Sequence, residues 1–140
     1  MLSNYETQQT LLRVLQEDVK AGKLPRGAKI DTYAGQIDIA SLDVAVNKFP
    51  AILVNWQGDA PFDLINEEKT DELNFTLLIC TNSVNGLEDA LTIVDTLKTN
   101  FLGKWSEDGE YKFVVFKGSA KPVINLKRCQ VVAFPLRISE

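Results

Sequence analysis

Two hydrophobic periods stand side by side between Glu72 and Gly103, and together they commit the chain to a sheet with a helix laid on it. From Glu72 the apolar residues fall at every second position, Leu73, Phe75, Leu77 and Ile79, with Asn74 and Thr76 facing the other way. That is the pattern of a strand with one face turned to a core. Past the Asn-rich turn Asn82-Ser83-Val84-Asn85-Gly86 the period changes. Leu87, Ala90, Leu91, Val94, Leu97 and Phe101 form the clearest helical stripe in the chain, opened by the capping spacing of Asn85 with Glu88 and closed by Gly103. An amphipathic helix and a one-sided strand each carry an apolar face that must be covered by another layer.

The remaining segments supply those layers. Ser3 with Glu6 has the spacing of a capping box, and Leu11, Leu12, Val14, Leu15 and Val19 recur with helical period, predicting a helix over residues 4–21 that Gly22, Pro25 and Gly27 bring to an end. A short strand is expected from Lys29 to Ala34. Ile39, Leu42 and Val46 suggest a short helix that stops near Lys48, because Pro50 biases Phe49 away from helical backbone. Pro50 to Trp56 is a continuous apolar run suited to a strand buried on both faces. Gln57 to Asp71 reads as a long acidic loop. Tyr111, Phe113 and Val115 alternate with Lys112, Val114 and Phe116 in a further strand, Val132, Phe134, Leu136 and Ile138 mark the last, and Gly118 to Arg128 reads as a turn-rich connection. The expected fold is α+β: one mixed, mainly antiparallel sheet of four to five strands, packed against two main helices and one short helix, in a single domain over residues 1–140.

Composition narrows what such a domain does. A formal charge of −4 argues against a general nucleic-acid binder, whose affinity comes from clustered Lys and Arg. The apolar runs are far shorter than the roughly 20 residues that span a bilayer. Met1 to Glu6 has neither the basic start nor the apolar stretch of a secretory signal, so retention in a cytoplasm is the expectation. The chain contains no histidine, which removes Ser-His and Cys-His catalysis and the commonest metal ligand. Cys80 and Cys129 lie inside apolar runs and read as small buried hydrophobes, with a disulfide or redox role as the alternative.

The densest set of groups able to do chemistry is Asp59, Asp63, Glu67, Glu68, Lys69, Asp71 and Glu72. Glu67-Glu68-Lys69 has the Glu-x-Lys form in which metal-dependent nucleases hold Mg²⁺ and steady the attacked phosphate, and Glu110-Tyr111-Lys112 repeats it at the head of a strand. No upstream acid motif accompanies either triplet, so the plainer reading is a solvated acidic loop. No glycine-rich phosphate loop is present. Most aromatic residues fall in the alternating runs and read as core, whereas Trp56 and Trp105 lie beside polar residues, at the ends of elements, where an aromatic serves as a core lid or a contact anchor.

Ile30-Asp31-Thr32-Tyr33-Ala34-Gly35-Gln36 and then Phe49-Pro50-Ala51-Ile52-Leu53-Val54-Asn55-Trp56-Gln57-Gly58 resemble the pattern of a family of small tail proteins from Mu-like phages and prophages. The match runs on through the Asn82–Gly86 turn, the helix from Leu87 to Gly103 and Phe134-Pro135-Leu136-Arg137-Ile138, and so covers most of the chain. The order and spacing of its motifs also resemble those of tail-terminator proteins. That resemblance implies a non-catalytic subunit that closes with copies of itself into a ring, a hexamer, at the end of the tail tube and joins it to the head. It also implies tail tube or sheath and head-neck proteins as partners, DNA passing through the ring without sequence-specific contact, no membrane and no cofactor, and a virion tail as location after synthesis in the bacterial host cytoplasm.

A ring needs one patch meeting a different patch on the next copy. The segment Gln57 to Asp71 carries Phe62, Leu64 and Ile65 among its charges, for which a solvated loop has little need. Trp56, Asp59, Phe62, Leu64, Ile65 and Trp105 are therefore the expected interface residues. The alternatives are a metal-dependent nuclease or a small-ligand-binding α+β module with a concave apolar pocket.

Overall fold

The turn after the first helix shows how closely local sequence dictates backbone here. The Gly22 N–H donates to the Val19 carbonyl at 3.2 Å and the Lys23 N–H to the Asp18 carbonyl at 2.9 Å. This is the Schellman pair that satisfies the last carbonyls of a helix, and Gly22 adopts the left-handed φ of 79° it requires. A second left-handed glycine, Gly27 at φ 81°, turns the chain into the first strand.

A computed structural model of the chain describes residues 4–33, 49–59, 72–82, 86–101, 103–107, 110–116, 120–125 and 129–139. Its elements are α1 (Asn4–Lys20), β1 (Lys29–Thr32), β2 (Ala51–Asp59), β3 (Glu72–Asn82), α2 (Gly86–Phe101), β4 (Gly103–Glu107), β5 (Glu110–Phe116), β6 (Lys121–Asn125) and β7 (Cys129–Ser139). The short helix expected around Ile39, Leu42 and Val46 lies outside the described residues.

The fold is α+β, with one mixed sheet ordered β1-β2-β3-β7-β5-β4. β1 runs parallel to β2, and the other pairings are antiparallel. β3 and β7 pair from Glu72↔Ser139 to Asn82↔Cys129 and form its long centre. The outer edge of β7 is shared: β5 takes the part from Leu136 to Ser139, and β6 the part from Gln130 to Ala133. The five strands expected from sequence are β1, β2, β3, β5 and β7.

Two short strands, β4 and β6, extend that sheet to seven among the described residues, and they correct two expectations. The stretch from Gly118 to Arg128 is not merely a turn-rich connection, because Lys121–Asn125 pairs with β7. Trp105 does not sit at the end of an element but in the middle of β4, in register with Lys112. A third correction concerns the loop expected from Gln57. β2 continues through a register shift between Trp56 and Gly58 and pairs Asp59 with Leu73, so the glycine marks a bulge and not the end of the strand.

Both faces of the central strands are buried. On one face α1 lies over β1 and β2 while α2 lies over β3, β7 and β5. Leu11, Leu15, Ile93 and Leu97 of the helices pack there on Ile52, Phe75, Leu77, Phe134 and Leu136. Each large side chain so buried contributes about 1.5–3 kcal/mol. On the other face Ala51, Leu53, Leu78, Cys80, Cys129 and Val131 form a second cluster flanked by Tyr33, Phe49 and Ala133. The apolar run Ala51 to Val54 is thus buried on both sides, as its unbroken hydrophobicity requires.

Candidate interaction surface

Trp56 follows Ile52 and Val54 on the helix-facing side of β2, yet it remains 51% exposed while Phe75, its partner on β3, is buried. Its indole Nε1 donates to the Asn4 Oδ1 at 2.9 Å, tying the start of α1 to the far end of β2. Tyr5, the next residue of α1, is 70% exposed. An exposed indole held in orientation by a hydrogen bond is suited to contact, because little side-chain freedom remains to be lost on binding.

Of the other residues expected at an interface, Asp59 and Trp105 lie among the described residues. Asp59 ends β2 opposite Leu73. Trp105 lies in β4, four strands away from β2 in the sheet order, roughly 19 Å for a flat sheet. Phe62, Leu64 and Ile65 lie outside the described residues, as do Asp63, Glu67, Glu68, Lys69 and Asp71. Glu72 opens β3, while Glu110 and Lys112 belong to β5, where they stand in register with Glu107 and Trp105 of β4. Among the described residues no group of three or more Cys, Asp or Glu side chains is placed to hold a metal ion.

One assignment from periodicity is overturned at the helix itself. Leu87 and Leu91 were expected in the core stripe of α2, but they are 53% and 55% exposed while Ala90, Ile93, Val94 and Leu97 are buried. The sheet covers only the arc centred on Ala90 and Leu97. Leu91 lies about 100° round the helix from Ala90 and therefore faces outward. With Tyr5, these leucines are the contact candidates that sequence reasoning missed. The signal was an apolar arc wider than one neighbouring layer can cover.

The two cysteines are free and buried on the sheet face away from the helices. Burial pushes the Cys80 thiol up to about 12, and the neighbouring Cys129 adds to the rise. A thiol held protonated in this way is a poor nucleophile, so the packing reading of Cys80 fits its environment. No helix among the described residues is long and apolar enough to cross a membrane.

No protein-family model matches this chain, and no curated protein does. A solved structure whose name carries no description of function is similar over 99% of this chain and 96% of that one, with a TM-score of 0.61 at 11% identity. At that identity the likeness speaks for the fold alone.

Proposed function

We propose that this chain is a non-catalytic structural subunit of a phage or prophage tail, of the tail-completion or terminator class, which assembles with its own copies into a ring at the end of the tail tube and helps join tail to head. The observation that carries the reading is Trp56, an aromatic anchor half exposed at the surface and fixed by Asn4. Aromatic side chains presented rigidly are the residues on which interfaces concentrate their binding energy. The order of motifs resembling tail proteins, together with a chain that has no histidine to serve as base or ligand, supports an assembly role over turnover. Tail tube or sheath and head-neck proteins are its proposed partners, with DNA passing through the bore, and the virion tail is its proposed location.

The mass in solution tests the proposal. A hexamer of 15.6 kDa chains weighs about 94 kDa. Light scattering on the purified chain, alone and with tail tubes, should report that ring. Trp56→Ala and Phe62→Asp should each give a smaller species that still unfolds cooperatively. Unchanged masses in both variants would refute the assignment of these residues to the interface. A wild-type chain that remains solitary even beside tail tubes would refute the ring.

A further inference from the structure

The twelve residues from Val19 to Ile30 contain Lys20, Lys23, Arg26 and Lys29 and no acid. The rest of the chain is left with 11 Lys and Arg against 19 Asp and Glu, a charge of −8 where the whole carries −4. Lys20, Lys23 and Arg26 are exposed, and none of the four cations has an ion-pair partner among the described residues. The segment is also rigid by construction. The Schellman bonds fix its start, Leu24 is buried with its backbone N–H bonded to the Asp18 carbonyl, and the Ala28 N–H donates to the Pro25 carbonyl at 3.1 Å. It is a basic knuckle presented in one shape.

Its complement lies on α2. Spacings of three, four and seven put Leu87, Glu88, Leu91 and Asp95 on one stripe, and all four are exposed. Neither Glu88 nor Asp95 has an ion-pair partner among the described residues, and Lys98, two turns beyond Leu91 and one beyond Asp95, is already engaged within the chain. An apolar pair rimmed by carboxylates accepts Lys and Arg well, since their hydrocarbon stems cover leucine while their heads meet the acids.

The sheet decides whether the two patches can meet. Lys29 starts β1 opposite Ala51, Ala51 pairs with Cys80, and α2 begins at Gly86, four residues after Asn82 ends β3. The basic turn and the start of α2 therefore lie at the same end of the sheet. They differ laterally: the turn sits at the β1 edge, whereas α2 lies over β3, β7 and β5, and β7 is three strands, about 14 Å, from β1. Complementary patches at one level and on different sides of a subunit join head to tail, the contact from which closed rings are made.

We propose that the basic turn between α1 and β1 docks on the Leu87–Leu91 stripe of α2 in the next copy of this chain, with Glu88 and Asp95 meeting Lys23 and Arg26. The proposal rests on the ring reading above and assigns it a contact. Charge reversal tests it, because a head-to-tail interface can be repaired in trans. One variant carries Lys23→Glu and Arg26→Glu, the other Glu88→Lys and Asp95→Lys. All four sites are exposed, and circular dichroism checks that both variants fold. Sedimentation at low salt should show each variant associating at least about tenfold more weakly than wild type, since like charges then face each other. An equimolar mixture should recover association, because each reversed patch finds its opposite on the other variant. Wild type that associates with no change in either variant, or losses that the mixture does not repair, overturns this contact and leaves the ring reading standing. Wild type that never associates overturns both.

Discussion

Replacing Thr7 with valine should make this protein more stable. Thr7 lies on the inner face of α1, one turn before Leu11 and two before Leu15, and all three are excluded from solvent. Its hydroxyl Oγ1 is buried with no hydrogen-bond partner. Thr10 escapes the same fate by donating to the Glu6 carbonyl at 2.9 Å. A buried polar group left unsatisfied costs about 1–3 kcal/mol. Valine keeps the β-branched outline, puts a methyl where the hydroxyl was, and has nearly the same helix propensity as threonine. The expected gain is about 1 kcal/mol, at the lower end because the methyl is slightly larger than the oxygen it replaces. For a chain of 140 residues that is about 3–5 °C in Tm. Urea denaturation should show a raised midpoint at unchanged slope, as expected when the surface exposed on unfolding is the same. Thr7→Ala, which removes the hydroxyl and also leaves a gap, should give less than Thr7→Val. A Thr7→Val protein no more stable than wild type would show that the hydroxyl has a partner in solution, and the reasoning from burial would fail.

Two further perturbations separate backbone effects from side-chain chemistry. A Cβ at Gly22 would meet nothing within 4 Å, so Gly22→Ala should lose only the left-handed backbone preference. That penalty is about 1–2 kcal/mol, partly offset by a stiffer unfolded chain. Gly22→Asn should lose less, and equal losses in urea denaturation would locate the effect elsewhere. For Cys80 the folded thiol titrates at about 12 against an ordinary 9.0, so folding favours the neutral form. Its contribution is complete below pH 9.0 and is lost as pH rises toward 12, at up to about 1.4 kcal/mol per pH unit. The stability gap between wild type and Cys80→Ala should therefore narrow above pH 9.0, and a gap that stays constant with pH would rule out the shift.

The elements that could be read from sequence are those whose own residues are buried. Leu73, Phe75, Leu77 and Ile79 alternate because the helices cover one face of β3, and Ala51 to Val54 run unbroken because β2 is covered on both. β4 and β6 have no such signature. Gly103-Lys104-Trp105-Ser106-Glu107 and Lys121-Pro122-Val123-Ile124-Asn125 are five residues each, polar and interrupted by Gly or Pro. They are strands because β5 and β7 offer them backbone partners. Pairing of that kind leaves little trace in local periodicity. The loop expected from Gln57 fails for a related reason, since a polar residue that ends a strand and one that bulges it look alike until the partner strand is known.

The surface residues were harder, and the reason is geometric. A helix on a sheet buries an arc of a little over 100°. In α2 that arc is filled by Ala90, Ile93, Val94 and Leu97, so any further leucine beside it is surplus to the fold. The stripe from Leu87 to Phe101 shows the surplus but not its side, because periodicity cannot tell which part of a wide apolar arc the sheet will cover. Sheet order resolves it. Once α2 is known to lie over β3, β7 and β5 with its start at the level of Ala51, Leu87 and Leu91 fall outside the covered arc. They also fall at the same end of the molecule as the basic turn. Trp56 is a related case on a strand: it continues the alternation of Ile52 and Val54 at the start of α1, where Asn4 holds it while half of it stays exposed. Apolar groups that continue a core pattern beyond the layer covering it are where a second copy would find its hold, and the charge-reversed pair decides whether it does.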